Sequence, residues 1–256
     1  MKKRRKVLLL GAVGKVGSGF IEEYQKHYKN NYDLILGFHN KKPSIKGFKF
    51  VKADIGNPIS LKKAMKGIDV VINLAANPNP EAKFSELIEP NLIGAYNVFE
   101  AAHQSKCKRV IFASSVHTIK GYPLNYKVSH DEVSKPVNFY GVSKVFGESL
   151  GYTFSYKYKL SCLAIRIGAY VSNDKRKVVC YTRHDYNYVI SQRDMGQLIH
   201  RCIIAPKKVV YAILSGISDN QHKSMELKFT KKLVGYKPKD DAFKLCKTIK
   251  KSGLKK

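Results

Sequence analysis

The sequence predicts an α/β chain: a doubly wound parallel sheet with helices on both faces and a small C-terminal lobe. Three observations predict it. Val7-Leu8-Leu9-Leu10 is a continuously apolar run, as expected of a strand buried on both faces, and Gly11-Ala12-Val13-Gly14-Lys15-Val16-Gly17 follows it at once. Apolar strand-like runs then alternate with helical periodicity as far as residue 168, the pattern of parallel strands joined by crossover helices. Finally, Tyr140 and Lys144 stand four residues apart in a helical stretch, and so on one face of it.

Taken in order, the glycine turn leads into a helical pattern carried by Phe20, Ile21 and Tyr24. Glycines between a buried strand and a helix permit a tight turn and close approach of backbone to a diphosphate, which the helix N-terminus stabilises. Gly11, Gly14, Lys15, Val16 and Gly17 are therefore candidate cofactor-binding residues. The second strand is Leu34-Ile35-Leu36-Gly37-Phe38. An acidic side chain near its end would hold adenosine ribose hydroxyls, yet the sequence continues His39-Asn40-Lys41-Lys42. Three readings stand: a ribose 2′-phosphate meets Lys41 or Lys42, His39 or Asn40 makes a neutral hydrogen bond, or cofactor binding is weak.

Phe50 to Ile55 reads as the third strand, with Asp54 able to accept from an adenine amino group and Ile55 to pack on the ring; a turn acid before Pro58 is the plainer reading of Asp54. Val70 to Ala76 reads as the fourth strand, where Leu74, Ala75 and Ala76 leave room for a cofactor. Asn77-Pro78-Asn79-Pro80 is a loop, and Asn91 opens a helix carried by Leu92, Ala95, Tyr96 and Phe99. Arg109 to Ser115 is the fifth strand. It ends in two hydroxyls before His117, at the strand end where doubly wound sheets bind ligands; an ordinary loop histidine bonded to backbone is the alternative for His117. Leu160 to Ile167 is the sixth strand. Beyond Gly168, Asp174 to Lys177 reads as an exposed loop, Ser191 and Asp194 as an acidic capping box opening a helix, and Val209 to Leu214 as a further strand. The predicted division is a dinucleotide-binding core over 1–168 and a small substrate-binding lobe over 169–256 with a basic, disordered tail.

With 256 residues, 44% of them hydrophobic and 26% charged, the chain can bury a substantial core. No apolar run approaches the roughly 18 to 20 residues of a membrane span, and the basic N-terminus lacks the features of a secretory signal, so a cytoplasmic protein without membrane contact is expected. The five cysteines follow no Cys-x-x-Cys pattern; neither disulfides nor a metal site are expected. The formal net charge of +28 admits a polyanion or nucleic-acid binder. The charges, however, are spread along the chain rather than gathered in one stripe, and a lysine-rich surface laid over an ordinary enzyme explains them without nucleic acid. An anionic substrate is compatible with either.

The chemistry centres on Phe139-Tyr140-Gly141-Val142-Ser143-Lys144. An ammonium one helical turn from a phenol favours the phenolate, which makes Tyr140 a candidate general base. A chance Tyr and Lys pair in a lysine-rich chain with 16 tyrosines is the competing explanation.

Together the glycine turn, Asp54, the segment Asn73 to Ala76, Asn91, the strand ending at Ser115 and Tyr140-x-x-x-Lys144 resemble the extended short-chain dehydrogenase/reductase family, also called the NAD-dependent epimerase/dehydratase family. Within it the chain is most similar to uronate dehydrogenases and to archaeal and bacterial sugar dehydrogenases, including those acting on glucose 6-phosphate. Phe112 to Thr118, Tyr140 to Glu148, Arg166-Ile167-Gly168, Ser191 to Asp194 and Gly216 to Asn220 carry this likeness. It implies a Rossmann core and NAD as cofactor, with NADP admitted by the missing acid. The short C-terminal part suits a small sugar better than a nucleotide sugar.

By this resemblance Ser115 holds the reacting hydroxyl, Tyr140 removes its proton, and Lys144 lowers the tyrosine pKa and bonds the nicotinamide ribose. Hydride leaves the anomeric carbon of a sugar, sugar acid or sugar phosphate, and a lactone forms. Asn91 fixes helix geometry near the lysine and, with Tyr140 and Lys144, is a candidate cofactor-binding residue; Ser115, His117, Arg166 and Arg176 are candidate substrate contacts. The resemblance also implies a homodimer or higher homo-oligomer through the helices of Asn91 and Tyr140. The family commonly carries Asn at Val116 and His at Gln192, and uronate dehydrogenases a Ser at Ala169. The alternatives are a sugar or nucleotide-sugar epimerase/dehydratase, and a non-catalytic dinucleotide-sensing or polyanion-binding protein.

Overall fold

The computed structural model describes residues 4–173 and 185–244. Seven parallel strands form the central sheet: β1 (Lys6–Leu10), β2 (Asp33–Phe38), β3 (Lys49–Lys52), β4 (Val70–Asn73), β5 (Arg109–Ser115), β6 (Ser161–Ile167) and β9 (Tyr211–Gly216), in the order β3-β2-β1-β4-β5-β6-β9. A short parallel pair, β7 (Ala169–Val171) with β8 (Val189–Ser191), lies outside it. Because β1 is central, its consecutive apolar residues serve two cores. Val7 and Leu9 face one side, under α1 (Lys15–Glu23) and α6 (Gln192–Ile204). Leu8 and Leu10 face the other, under α2 (Pro58–Ala64), α4 (Gly94–Gln104) and α5 (Phe139–Tyr158). This two-sided burial explains why the strand reads as an unbroken apolar run.

Several boundaries differ from the sequence reading. β3 stops at Lys52 and β4 at Asn73, so Asp54, Ile55 and Leu74 to Ala76 belong to the turns at the strand ends, while β9 begins at Tyr211. Asn91 does not open a helix. It lies within a π-helical stretch, Ile88–Ile93, that joins α3 (Phe84–Leu87) to α4. Pro90 accounts for part of this irregularity, because it has no N–H for the Glu86 carbonyl four residues back. That carbonyl instead accepts from the Asn77 side chain at 3.4 Å.

Ser191 caps α6 as expected, its hydroxyl accepting from Asp194 N at 3.1 Å. Asp194 does not return the bond to the cap. Its carboxylate accepts from the Ser218 hydroxyl (2.7 Å) and from the backbone N–H groups of Lys239 and Asp240 (2.9 and 3.0 Å), pinning the chain that follows α7 (Lys228–Val234) onto α6. Beyond residue 168, β9 joins β6 as an edge strand, and Gly196 of α6 lies close against Glu23 of α1. Both elements thus belong to the layers of the main sheet. Among the described residues, no helix is long and apolar enough to cross a membrane.

Arg109, at the start of β5, is 4% exposed and makes no ion pair with a carboxylate among the described residues. Its guanidinium donates to Ser161 Oγ and to the carbonyls of Cys202, Ala205, Pro206 and Val209 at 2.8–3.3 Å. A cation suits these carbonyls at the C-terminal end of α6, and burial lowers the arginine's pKa. Arg109→Met should leave buried carbonyls without donors and cost on the order of 3 kcal/mol. Urea unfolding should then show a lower midpoint at unchanged slope; an unchanged midpoint would show that water replaces the guanidinium without loss.

Candidate active site

The sheet order reverses between β1 and β4, and doubly wound sheets bind ligands at the carboxyl ends of strands beside such a reversal. A cleft of about 1440 Å³ lies there, running from the glycine turn to Ser115, Tyr140 and Lys144. Four lysines (Lys15, Lys41, Lys120 and Lys144) and two carboxylates (Asp54 and Glu89) line it. The surplus of cations suits an anionic occupant.

At one end stands the turn from β1 to α1. Gly11 has φ +81°, and a Cβ on it would lie 2.8 Å from the Leu74 carbonyl carbon; on Gly17 it would lie 2.2 Å from Gly11 O. Side chains are thus excluded from both positions, and backbone comes within reach of a ligand. No side chain caps α1. The first N–H groups of a helix lack intrahelical partners, and Gly14, Lys15, Val16 and Gly17 line the cleft where those groups lie. The cradle fits a diphosphate.

Around it, Leu74, Ala75 and Ala76 form one wall, while Asp54 and Ile55 lie beyond the end of β3. Asp54 accepts from Gly56 N at 2.9 Å and sits 3.3 Å from His39 Nε2. Asn91 is not part of the lining. It is 3% exposed, accepts from Asn77 N (2.8 Å), and donates to Asn77 O (3.1 Å) and Ser143 Oγ (3.0 Å). With its amide occupied in this way it tethers the wall to α5 and lies behind the lining, which corrects the sequence reading of Asn91 as a direct cofactor ligand.

At the other end β5 delivers Ser115, and the first turns of α5 deliver Tyr140 and Lys144. Asn138 caps α5, its Oδ1 accepting from Gly141 N at 2.8 Å. Its Nδ2 then faces His117 Nδ1 at 2.9 Å, so Nδ1 accepts and the ring proton rests on Nε2. Burial, with Lys120 nearby, lowers the His117 pKa to about 4, leaving a neutral imidazole near pH 7. The ring meets Tyr140 edge-on, centroids 5.5 Å apart, and His117 N donates to Ser115 Oγ at 3.2 Å.

Tyr140 departs from expectation. Burial raises its pKa, and the hydrogen bond with the Ser115 hydroxyl only partly opposes this. Lys144 is 5% exposed, its Nζ is 5.3 and 5.5 Å from the Phe112 and Tyr140 ring centroids, and burial lowers its pKa to about 8. In the protein alone, desolvation therefore outweighs the attraction between ammonium and phenol that the Tyr-x-x-x-Lys spacing suggests.

Arg166 is not at the cleft. Its position on β6 turns it to the sheet's other face, where Nε and Nη2 each donate to Glu148 at 2.9 Å and Nη2 also donates to Ser134 Oγ at 3.1 Å. This pair lines a separate cavity of about 610 Å³, which overturns Arg166 as a contact for a substrate in the cleft. Arg176 lies outside the described residues. Of the three departures from the family pattern, Val116 and Ala169 line the cleft. Gln192 does not; its amide bonds Glu22, Glu23 and Asn173. The cleft also recruits Lys120, Tyr170 and Tyr188. No motif marked these three, but Asn138 was legible as a helix cap three residues before Gly141.

Residues 7–192 match the NAD dependent epimerase/dehydratase family. The NAD-dependent glucose-6-phosphate dehydrogenase of Haloferax volcanii is 31% identical over 92% of this chain and 94% of its own length. The uronate dehydrogenase of Pseudomonas putida is 28% identical over 93% of this chain and 85% of its own. Among solved structures, the glucuronic acid dehydrogenase of Chromohalobacter salexigens superposes with a TM-score of 0.84 at 26% identity, covering 99% of this chain and 91% of that one. With its glycine turn, strand order and Tyr140–Lys144 helix in agreement with these similarities, the chain belongs to the NAD dependent epimerase/dehydratase family.

Proposed function

We propose that the protein is an NAD(P)-dependent dehydrogenase that oxidises a sugar, sugar acid or sugar phosphate at its anomeric carbon to a lactone. The observation that carries this reading is the convergence of Ser115, Tyr140 and Lys144 at one end of a cleft whose other end is the glycine turn. Relatives named as sugar dehydrogenases match along nearly their whole length, whereas a putative UDP-glucose 4-epimerase of Methanocaldococcus jannaschii matches over only 48% of its own. This favours dehydrogenation over epimerisation.

The Ser115 hydroxyl holds the reacting hydroxyl, and Tyr140 takes its proton as phenolate. Lys144, cationic below about pH 8, stabilises that phenolate. His117, neutral and with its proton on Nε2, donates to the sugar without adding charge. When bound, the nicotinamide cofactor supplies the hydride acceptor. Gly14, Lys15, Val16 and Gly17 at the α1 N-terminus would hold its diphosphate, and Asp54 and Ile55 its adenine.

The outer surface of α5 leaves Phe139, Val142 and Phe146 exposed, and the exposed Phe84 of α3 stands beside them, its ring centroid 5.7 Å from that of Phe139. Contiguous exposed apolar side chains of this kind mark interaction surfaces, which supports a homo-oligomer formed through this face. Light scattering should give at least a dimer, and Phe146→Glu should shift it toward monomer; a wild-type monomer would refute the assembly.

Purified protein should reduce NAD or NADP with one class among hexuronates, free aldoses and sugar phosphates. Tyr140→Phe should cost about a thousandfold in kcat while dinucleotide still binds. Silence from every sugar with the folded, dinucleotide-binding protein would reject the dehydrogenase reading. The pH dependence is a second test. With cofactor and sugar both subsaturating, kcat/KM should rise about tenfold per pH unit up to about pH 8, because ionised Tyr140 is scarce. Above that it should level, as lost Lys144 charge offsets gained phenolate. A flat profile from pH 6 to 8 would exclude Tyr140 as the base.

A further inference from the structure

We propose that the second cavity, of about 610 Å³, is a binding site for a small amine that also carries an oxygen acceptor, with an apolar body between the two. The cavity lies between α5, α7 and the strands β6 and β9, with residues 130–134 along one side. It shares no lining residue with the cleft that holds Ser115 and Tyr140, so the site is independent of the chemistry assigned there. Its volume falls within the roughly 300 to 1,000 Å³ usual for small-molecule sites.

The floor holds an unused donor. Arg166 is 3% exposed, and its Nε and Nη2 are taken by Glu148 and Ser134. Nη1 makes no hydrogen bond among the described residues, yet it is not sealed in the interior, and the space open to it is the cavity that Arg166 lines. Buried polar groups are nearly always hydrogen-bonded, so this nitrogen calls for an acceptor oxygen from an occupant. The rim makes the opposite demand. Asp131 is exposed there and Glu132 half-buried. Hydrogen bonds from Ser129 Oγ and from the Tyr126 hydroxyl hold their carboxyls below the usual carboxylate range, so both are anionic at neutral pH. With Glu148 they set three carboxylates against Arg166, which leaves two negative charges apart from His130. The chain as a whole has a net charge of +28, yet of its 47 lysines and arginines only Arg166 stands in the described lining. The cavity thus reverses the sign of the protein around it, disfavouring an anion and favouring an ammonium. Aromatic rings supply the rest: His130 stacks on Phe229 with centroids 3.5 Å apart, and Tyr152 meets Tyr211 edge-on at 5.3 Å. Such rings suit both an apolar body and a cation.

The test is calorimetry on the full chain with three probes that differ by one group. They are tyramine, phenethylamine, which lacks the phenolic oxygen, and para-hydroxyphenylpropionate, in which a carboxylate replaces the ammonium. Tyramine should bind about tenfold more tightly than phenethylamine, and the propionate should not bind measurably. Thr153→Trp, on the exposed side of α5 within the lining, should abolish tyramine binding at an unchanged Tm. Asp131→Asn should weaken it about threefold, while Glu81→Gln, an exposed carboxylate outside the lining, should leave it intact. Failure of tyramine to bind, or its undiminished binding to Thr153→Trp, would overturn the site. Equal binding of tyramine and phenethylamine would overturn the acceptor assigned to Arg166. Propionate binding as tight as that of tyramine, or an equal loss in Asp131→Asn and Glu81→Gln, would overturn the recognition of an amine by this rim.

Discussion

The Glu148 carboxylate, buried beneath α5, sets the register on which the active end of the cleft depends. It accepts from Ser114 Oγ of β5 at 2.6 Å and from the Arg166 guanidinium of β6 at 2.9 Å. Tyr140, Lys144 and Glu148 succeed one another at four-residue intervals along one helix face, and Ser114 adjoins Ser115. One carboxylate thereby fixes both the rotation of the helix that carries Tyr140 and its height above the strand that carries Ser115. Buried ion pairs gain little net stability because desolvation offsets their attraction, and their best use is to specify one arrangement. Gly147 assists: a Cβ there would lie 2.1 Å from the Phe112 ring, so only glycine lets α5 come down this far onto the sheet.

Within that arrangement the same burial that fixes geometry opposes ionisation. Tyr140 is held above its ordinary pKa and Lys144 below its own, each resisting the charge that the proposed mechanism assigns to it. Only the Ser115 contact works in the other direction on the phenol. His117 is also kept neutral, with Lys120 nearby in the same lining.

Much of the fold was legible because local rules and global topology agree. Unbroken apolar runs mark strands covered on both sides, and the strand, glycine turn and helix succession marks where the sheet order reverses. Ser115, Tyr140 and Lys144 were legible because short-range spacing on one strand end and one helix determines where they lie. Arg166 misled because the family resemblance alone offered it as a contact, while the alternation of side chains along β6 sends it to the opposite face. Asn91 misled because a helix start and the interior of a distorted helix share the same apolar periodicity. Lys120 and Tyr188 came from irregular segments whose paths depend on tertiary contacts that no periodicity records. The pKa of Tyr140 was misjudged for a related reason: spacing reports neighbours, whereas desolvation reports everything packed around the group.

Pro90 has a mechanical effect that reaches the cleft. By freeing the Glu86 carbonyl it provides an anchor for the Asn77 side chain, while Asn91 grips the backbone of that same residue and the hydroxyl of Ser143. The bank formed after β4 is thereby riveted to the helix that carries Tyr140 by hydrogen bonds from two side chains. Tyr170 and Tyr188, elsewhere in the lining, are carried by a strand of three residues and a single helical turn.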